Sequence, residues 1–88
     1  MKNYDQATKL WSDALNLGPS DEDVALIRNN MAACHMVKKR WNMAVQECSV
    51  ALSKQPDYVK ALMRRGKAYE SMKDYVKAAG DYEKVGDW

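Results

Sequence analysis

Eighty-eight residues, 47% of them apolar and 30% charged, with a net charge of +2, make one small domain of ordinary soluble composition. That charge is too small by itself to argue for nucleic acid or a membrane surface. No apolar run approaches the ~18 residues needed to span a bilayer, and Met1-Lys2-Asn3-Tyr4-Asp5-Gln6 lacks the apolar core of a signal peptide. Two cysteines, Cys34 and Cys48, make no disulfide framework, so a reduced, cytoplasmic protein is the expected setting.

The first predicted helix covers about Tyr4 to Asn16, where Tyr4, Ala7, Leu10, Trp11, Ala14 and Leu15 recur at helical spacing. Leu17-Gly18-Pro19-Ser20 stops it. Ser20 or Asp21 caps a second helix running to about Val37, with Glu22 and Asp23 at its positive end and Lys38-Lys39-Arg40 at its negative one. A third helix spans about Trp41 to Lys54 and halts at Gln55-Pro56-Asp57. The fourth runs from about Tyr58 to Met72, and the fifth from Tyr75 to Val85, after a turn at Lys73-Asp74. Nothing reads as a strand. The short connections predict that successive helices lie antiparallel.

The chain also matches itself at an offset of 34 residues. Asn30 falls on Arg64, Ala32 on Gly66, His35 on Tyr69, Trp41 on Tyr75, Ala44 on Ala78, Cys48 on Tyr82 and Ala51 on Val85. An incomplete copy lies upstream at an offset of 37, with Tyr4, Ala7, Trp11, Ala14, Leu15 and Pro19 falling on Trp41, Ala44, Cys48, Ala51, Leu52 and Pro56. A repeat of this length, alternating large and small residues, predicts an all-α fold of stacked helix pairs. The aromatics Trp11, Trp41, Tyr69, Tyr75 and Tyr82 are expected to fill its core, and small residues such as Ala44 and Ala78 to let the helices approach closely.

These residues resemble the tetratricopeptide repeat. The last copy shows Leu62, Gly66, Tyr69, Tyr75, Ala78 and Tyr82, and the copy before it Ala32, Trp41, Ala44, Ala51 and Pro56, with His35 and Val85 as looser matches. The resemblance implies a right-handed superhelix of antiparallel helix pairs. One domain over residues 1–88 would hold the second helix of an incomplete first repeat (1–19), a second repeat (21–56) and a third (57–88). Asn30-Met31-Ala32-Ala33-Cys34-His35 and Lys60-Ala61-Leu62-Met63-Arg64-Arg65-Gly66-Lys67-Ala68 are similar to segments of co-chaperone repeats. These occur in the Hsp-organising protein, the large immunophilins and the small glutamine-rich repeat proteins. The similarity implies a carboxylate clamp for the C-terminal Glu-Glu-Val-Asp of heat-shock protein 90 or 70. Asn30, Lys60 and Arg64 fall on three of its five residues. The other two, a Lys and an Asn, would lie before Met1. Their loss predicts binding weaker by roughly 3–6 kcal/mol, at about 1.5–3 kcal/mol for each charged hydrogen bond.

Elementary chemistry supports the same residues. Lys60, Arg64 and Lys67 are spaced i, i+4, i+7 and share a helix face. One repeat earlier that face carries Leu26, Asn30 and Ala33. Stacking would align the two faces as a groove, with Ala33, Met36, Met63 and Lys67 along its floor. Arg64 supplies a fork for carboxylates, Lys60 a point charge and Asn30 an amide donor. The alternatives are a repeat scaffold with another peptide specificity, or self-association through open repeat ends at Tyr4, Leu10, Trp11 or Trp88. Lys38-Lys39-Arg40 reads as a solvated helix end, without the aromatic platform that nucleic-acid bases need. Cys34, His35 and Cys48 fit no zinc spacing. No catalytic constellation or cofactor motif stands out, so neither an enzyme nor a cofactor is expected.

Overall fold

The computed structural model describes residues 4–86. It holds five helices: α1 (Tyr4–Leu15), α2 (Asp21–Val37), α3 (Trp41–Lys54), α4 (Val59–Ser71) and α5 (Tyr75–Gly86). Every expected helix is present, with ends within a residue of those predicted. Trp88 and the Tyr4 side chain, both expected at open ends, lie outside the described residues.

Local chemistry sets the helix limits. Ser20 is the N-cap of α2: its backbone is extended, and its Oγ accepts a hydrogen bond from the Asp23 N–H at 3.2 Å. Asp21, Glu22 and Asp23 fill the first turn, where the helix dipole favours negative charge. α2 and α4 end in the same way, 34 residues apart. Arg40 N–H reaches back to the His35 carbonyl (2.8 Å) and Lys39 N–H to that of Met36 (3.0 Å). Asp74 N–H reaches Tyr69 (2.9 Å) and Lys73 N–H reaches Glu70 (3.0 Å). This double back-bond reverses the chain and needs a left-handed residue after the helix. Lys39 (φ 59°) and Lys73 (φ 64°) fill that position, where glycine would pay no Cβ penalty. The tight reversal makes α2/α3 and α4/α5 antiparallel hairpins.

The hairpins stack through α3 against α4 and α2 against α4, while α1 packs on α2 alone and α5 on α4 alone among the described residues. The result is an all-α, tetratricopeptide-like arrangement of helix pairs. Its core is built mostly of alanine. Ala25, Ala51, Leu52, Ala61 and Leu62 form one buried cluster, and Ala32, Ala44, Cys48 and Ala68 form another. Small side chains bring helix backbones close, so a core with few bulky residues still packs without gaps. Gly66 serves the same purpose. A Cβ there would sit 2.8 Å from Cε1 of the Tyr82 ring, which lies across the bare backbone of α4.

The aromatics need one correction. Trp11, Trp41, Tyr69 and Tyr82 are half-buried, but Tyr75 is 62% exposed rather than a core filler. Its neighbour Val76 is 85% exposed. The cause is positional: α5 turns one face to α4, and no described element covers the other.

Cys34 and Cys48 are free and buried. Burial drives the Cys48 thiol up to about 12 and raises Cys34 as well. The thiolate is the reactive form, so neither cysteine should react with iodoacetamide at pH 8 while the chain is folded. Both should be alkylated once urea unfolds it. Rapid labelling of Cys48 in native buffer, read by mass spectrometry, would show that the α2–α3–α4 seam opens readily.

Candidate functional site

α2 and α4 are the first helices of neighbouring hairpins. Their packing leaves a groove of about 630 Å³, within the ~300–1,000 Å³ common for ligand sites. α2 contributes Leu26, Asn29, Asn30, Ala33, Met36 and Val37. Lys60, Met63, Arg64 and Lys67 come from α4, and Tyr58 from the residue that caps it. All seven residues expected from the sequence (Asn30, Ala33, Met36, Lys60, Met63, Arg64 and Lys67) line this one groove. Helical geometry explains the arrangement. Seven residues at 1.5 Å rise put Lys60 and Lys67 roughly 10 Å apart along one side of α4, with Arg64 between them. Lys60 and Lys67 are exposed, whereas Arg64 and Asn30 are half-buried.

The groove's cations differ from those at the helix seams, which are paired; Lys9, Lys39, Arg40, Lys73 and Lys84 are exposed and likewise form no ion pair among the described residues. Across those seams Arg28 meets Glu47 at 2.9 Å, Lys38 meets Asp5 at 2.7 Å, Lys54 meets Asp21 at 3.8 Å and Arg65 meets Asp81 at 2.7 Å. Lys60, Arg64 and Lys67 have no carboxylate within ion-pair distance among the described residues. Uncompensated cations on a concave wall concentrate positive potential there. The facing wall on α2 is largely apolar, with Leu26 and Val37 substantially exposed, and Met63 adds an exposed apolar side chain on α4 itself. An extended chain with an anionic end and an aliphatic side chain matches both walls.

Two features carry no signal in the 34-residue register. The first is Asn29, which is 3% exposed. Its Oδ1 accepts a hydrogen bond from Arg64 Nη1 at 2.7 Å, and its carbonyl accepts from the same nitrogen at 3.3 Å. Asn29 falls opposite Met63 in the repeat, so comparing the copies does not single it out. The second is the pairing at Lys38. Lys38, exposed at the helix end as expected, also ties α1 to the end of α2 through a surface contact with Asp5. That contact holds the Asp5 carboxyl below its ordinary value, mainly through the hydrogen bond from Lys38. His35, expected in the core, is half-buried with Nε2 4.0 Å from Glu47 Oε2. Burial lowers its pKa more than Glu47 raises it.

No helix of the described residues is long and apolar enough to cross a membrane. No protein-family model matches the chain. Among curated proteins, it is 37% identical over 71 residues to the Homo sapiens mitochondrial import receptor subunit TOM70, an alignment covering 78% of this chain and 12% of that protein. It is 34% identical over 87 residues to the Homo sapiens mitochondrial import receptor subunit TOM34, covering 93% of this chain and 28% of that one. Protein PHOX3 of Arabidopsis thaliana is 35% identical over 74 residues, covering 81% of this chain and 9% of PHOX3. The chain is therefore similar, over most of its own length, to segments spanning about a tenth to a quarter of these larger proteins.

Proposed function

We propose that this chain is a non-catalytic protein–protein interaction module of the co-chaperone tetratricopeptide type. In this reading, it holds the acidic C-terminal peptide of a chaperone, of the Glu-Glu-Val-Asp type found on heat-shock protein 90 or 70, in the groove between α2 and α4. Lys60 and Arg64 bind carboxylates, Asn30 donates its amide to the peptide, and Ala33, Met36, Met63 and Lys67 line its path. One observation carries the reading: the cations of this groove are unmatched by carboxylates among the described residues, while those at the helix seams are paired. Similarity to two proteins named as import receptor subunits supports a recognition role. The division into repeats at 1–19, 21–56 and 57–88 and a cytoplasmic setting belong to the same reading.

Titration with a fluorescent peptide ending in Glu-Glu-Val-Asp tests it. The same peptide with an amidated C-terminus should bind at least about tenfold more weakly, since one charged hydrogen bond is worth about 1.5–3 kcal/mol. Equal affinity for the two peptides would remove the carboxylate from the recognition and leave a repeat scaffold of different specificity.

A further inference from the structure

We infer that Asn29 is a positioning residue that fixes the Arg64 guanidinium in the groove, with its Nε–Nη2 edge presented to a ligand carboxylate. The inference takes its ligand from the peptide reading above, but the arrangement itself rests on the geometry alone. Arg64 is a half-buried side chain with many rotamers, and a free arginine would lose that freedom on binding. Asn29 removes part of this cost in advance. Its side-chain oxygen lies 2.7 Å from Nη1 and its main-chain oxygen 3.3 Å from the same atom, so two acceptors converge on one nitrogen. Arginine has no acceptor atom, which settles the amide orientation: Oδ1 faces the guanidinium. Nη1 is then engaged. The planar fork retains Nε and Nη2, which have no hydrogen-bond partner among the described residues. Those two N–H groups are spaced to grip one carboxylate in bidentate fashion.

Burial makes the rest rigid. Asn29 is 3% exposed and sits on α2, so the anchor belongs to a packed helix and not to a loop. It is also neutral. A carboxylate in its place would hold Arg64 equally well but cancel the charge that attracts the ligand. Position 29 therefore separates two properties of Arg64, its orientation and its free charge.

The test uses the chain itself in two arms. In the first, nitrogen-resolved NMR follows the Arg64 guanidinium, assigned by its disappearance in Arg64→Lys. Separate Nη1 and Nη2 signals are expected in the wild type, merging through faster rotation in Asn29→Ala. In Asn29→Asp the signals should stay resolved. In the second arm, affinity for the Glu-Glu-Val-Asp peptide should fall roughly 2- to 13-fold in Asn29→Ala, the cost of ordering one rotamer-rich side chain at binding. It should also fall in Asn29→Asp, although there the guanidinium remains held. Asn29→Ala should cost nothing further in an Arg64→Lys background, where no fork remains to be positioned. Circular dichroism checks that each variant is folded, and Asn29→Asp keeps the question open to test if the alanine variant is not. Unchanged Arg64 signals in Asn29→Ala, or the same loss of affinity in the Arg64→Lys background, would overturn the inference. If the wild type ignores the peptide while the Arg64 signals still respond to position 29, the peptide reading fails and the anchoring stands.

Discussion

Replacing Asp81 with Ala is expected to cost the fold about 3–5 kcal/mol, the usual penalty for stranding one member of a buried ion pair. The Asp81 side chain is 5% exposed and that of Arg65 18%. The contact is a full fork: Arg65 Nε donates to Oδ2 at 2.8 Å and Nη2 to Oδ1 at 2.7 Å. The remaining Nη1 donates to Ser49 Oγ at 3.2 Å. One guanidinium therefore ties α3, α4 and α5 together, and its pKa is raised chiefly by the hydrogen bond to Asp81. Without Asp81, a cation remains between three helices with a hydroxyl and the face of the Tyr69 ring, 5.9 Å away, as its partners but no carboxylate. A chain of this length has roughly 4–13 kcal/mol of stability in total, so the loss should remove at least about a quarter of it. Urea denaturation followed by circular dichroism measures the loss. Asp81→Asn should fall between the two, because its amide oxygen keeps one acceptor. The paired variant Arg65→Met with Asp81→Leu should be more stable than Asp81→Ala, since removing both charges also removes the desolvation cost. A loss below about 1 kcal/mol in Asp81→Ala would rank the pair with ordinary surface bridges.

That pair also shows where reading the sequence stops. The helices and the groove were legible because both follow from spacing. Residues 34 apart fall at equivalent points of stacked pairs, so Asn30 and Arg64 had to face the same concavity. Side-chain partnerships across helix seams do not follow from spacing alone. Glu47 and Asp81 are equivalent in the repeat, and each pairs with an arginine on the preceding helix, Arg28 and Arg65 respectively. Those arginines lie 37 residues apart, so the repeat offset does not link them. An acidic residue immediately before a core position in both copies was the available signal. Asn29 offered less, since its neighbour Asn30 occupies the groove register and its own burial depends on where Arg64 lies. Tyr75 failed for the opposite reason. Its repeat position implies a core aromatic, but burial there requires a helix beyond α5, and none is described.

Arg64→Glu is expected to weaken binding of the Glu-Glu-Val-Asp peptide by about a hundredfold or more. Losing the arginine removes at least one charged hydrogen bond, about 1.5–3 kcal/mol, and the new carboxylate faces the ligand's own, a repulsion worth several kcal/mol. Together these exceed ~3 kcal/mol, or more than two decades in affinity. The fold should survive the change. Arg64 is half-buried at the groove wall, and its anchor Asn29 can turn its amide so that Nδ2 donates to the new carboxylate where Oδ1 accepted before. Net charge is controlled by Lys84→Glu on α5, an exposed site outside the groove. That variant alters total charge by the same amount and should leave affinity nearly unchanged. Raising salt should weaken wild-type binding and change the residual binding of Arg64→Glu much less, because there salt screens the new repulsion together with the remaining attraction of Lys60 and Lys67. Fluorescence polarisation at two ionic strengths measures all three chains. If Lys84→Glu weakens binding as much as Arg64→Glu does, long-range charge and not the groove governs recognition; if neither weakens it, the peptide binds elsewhere.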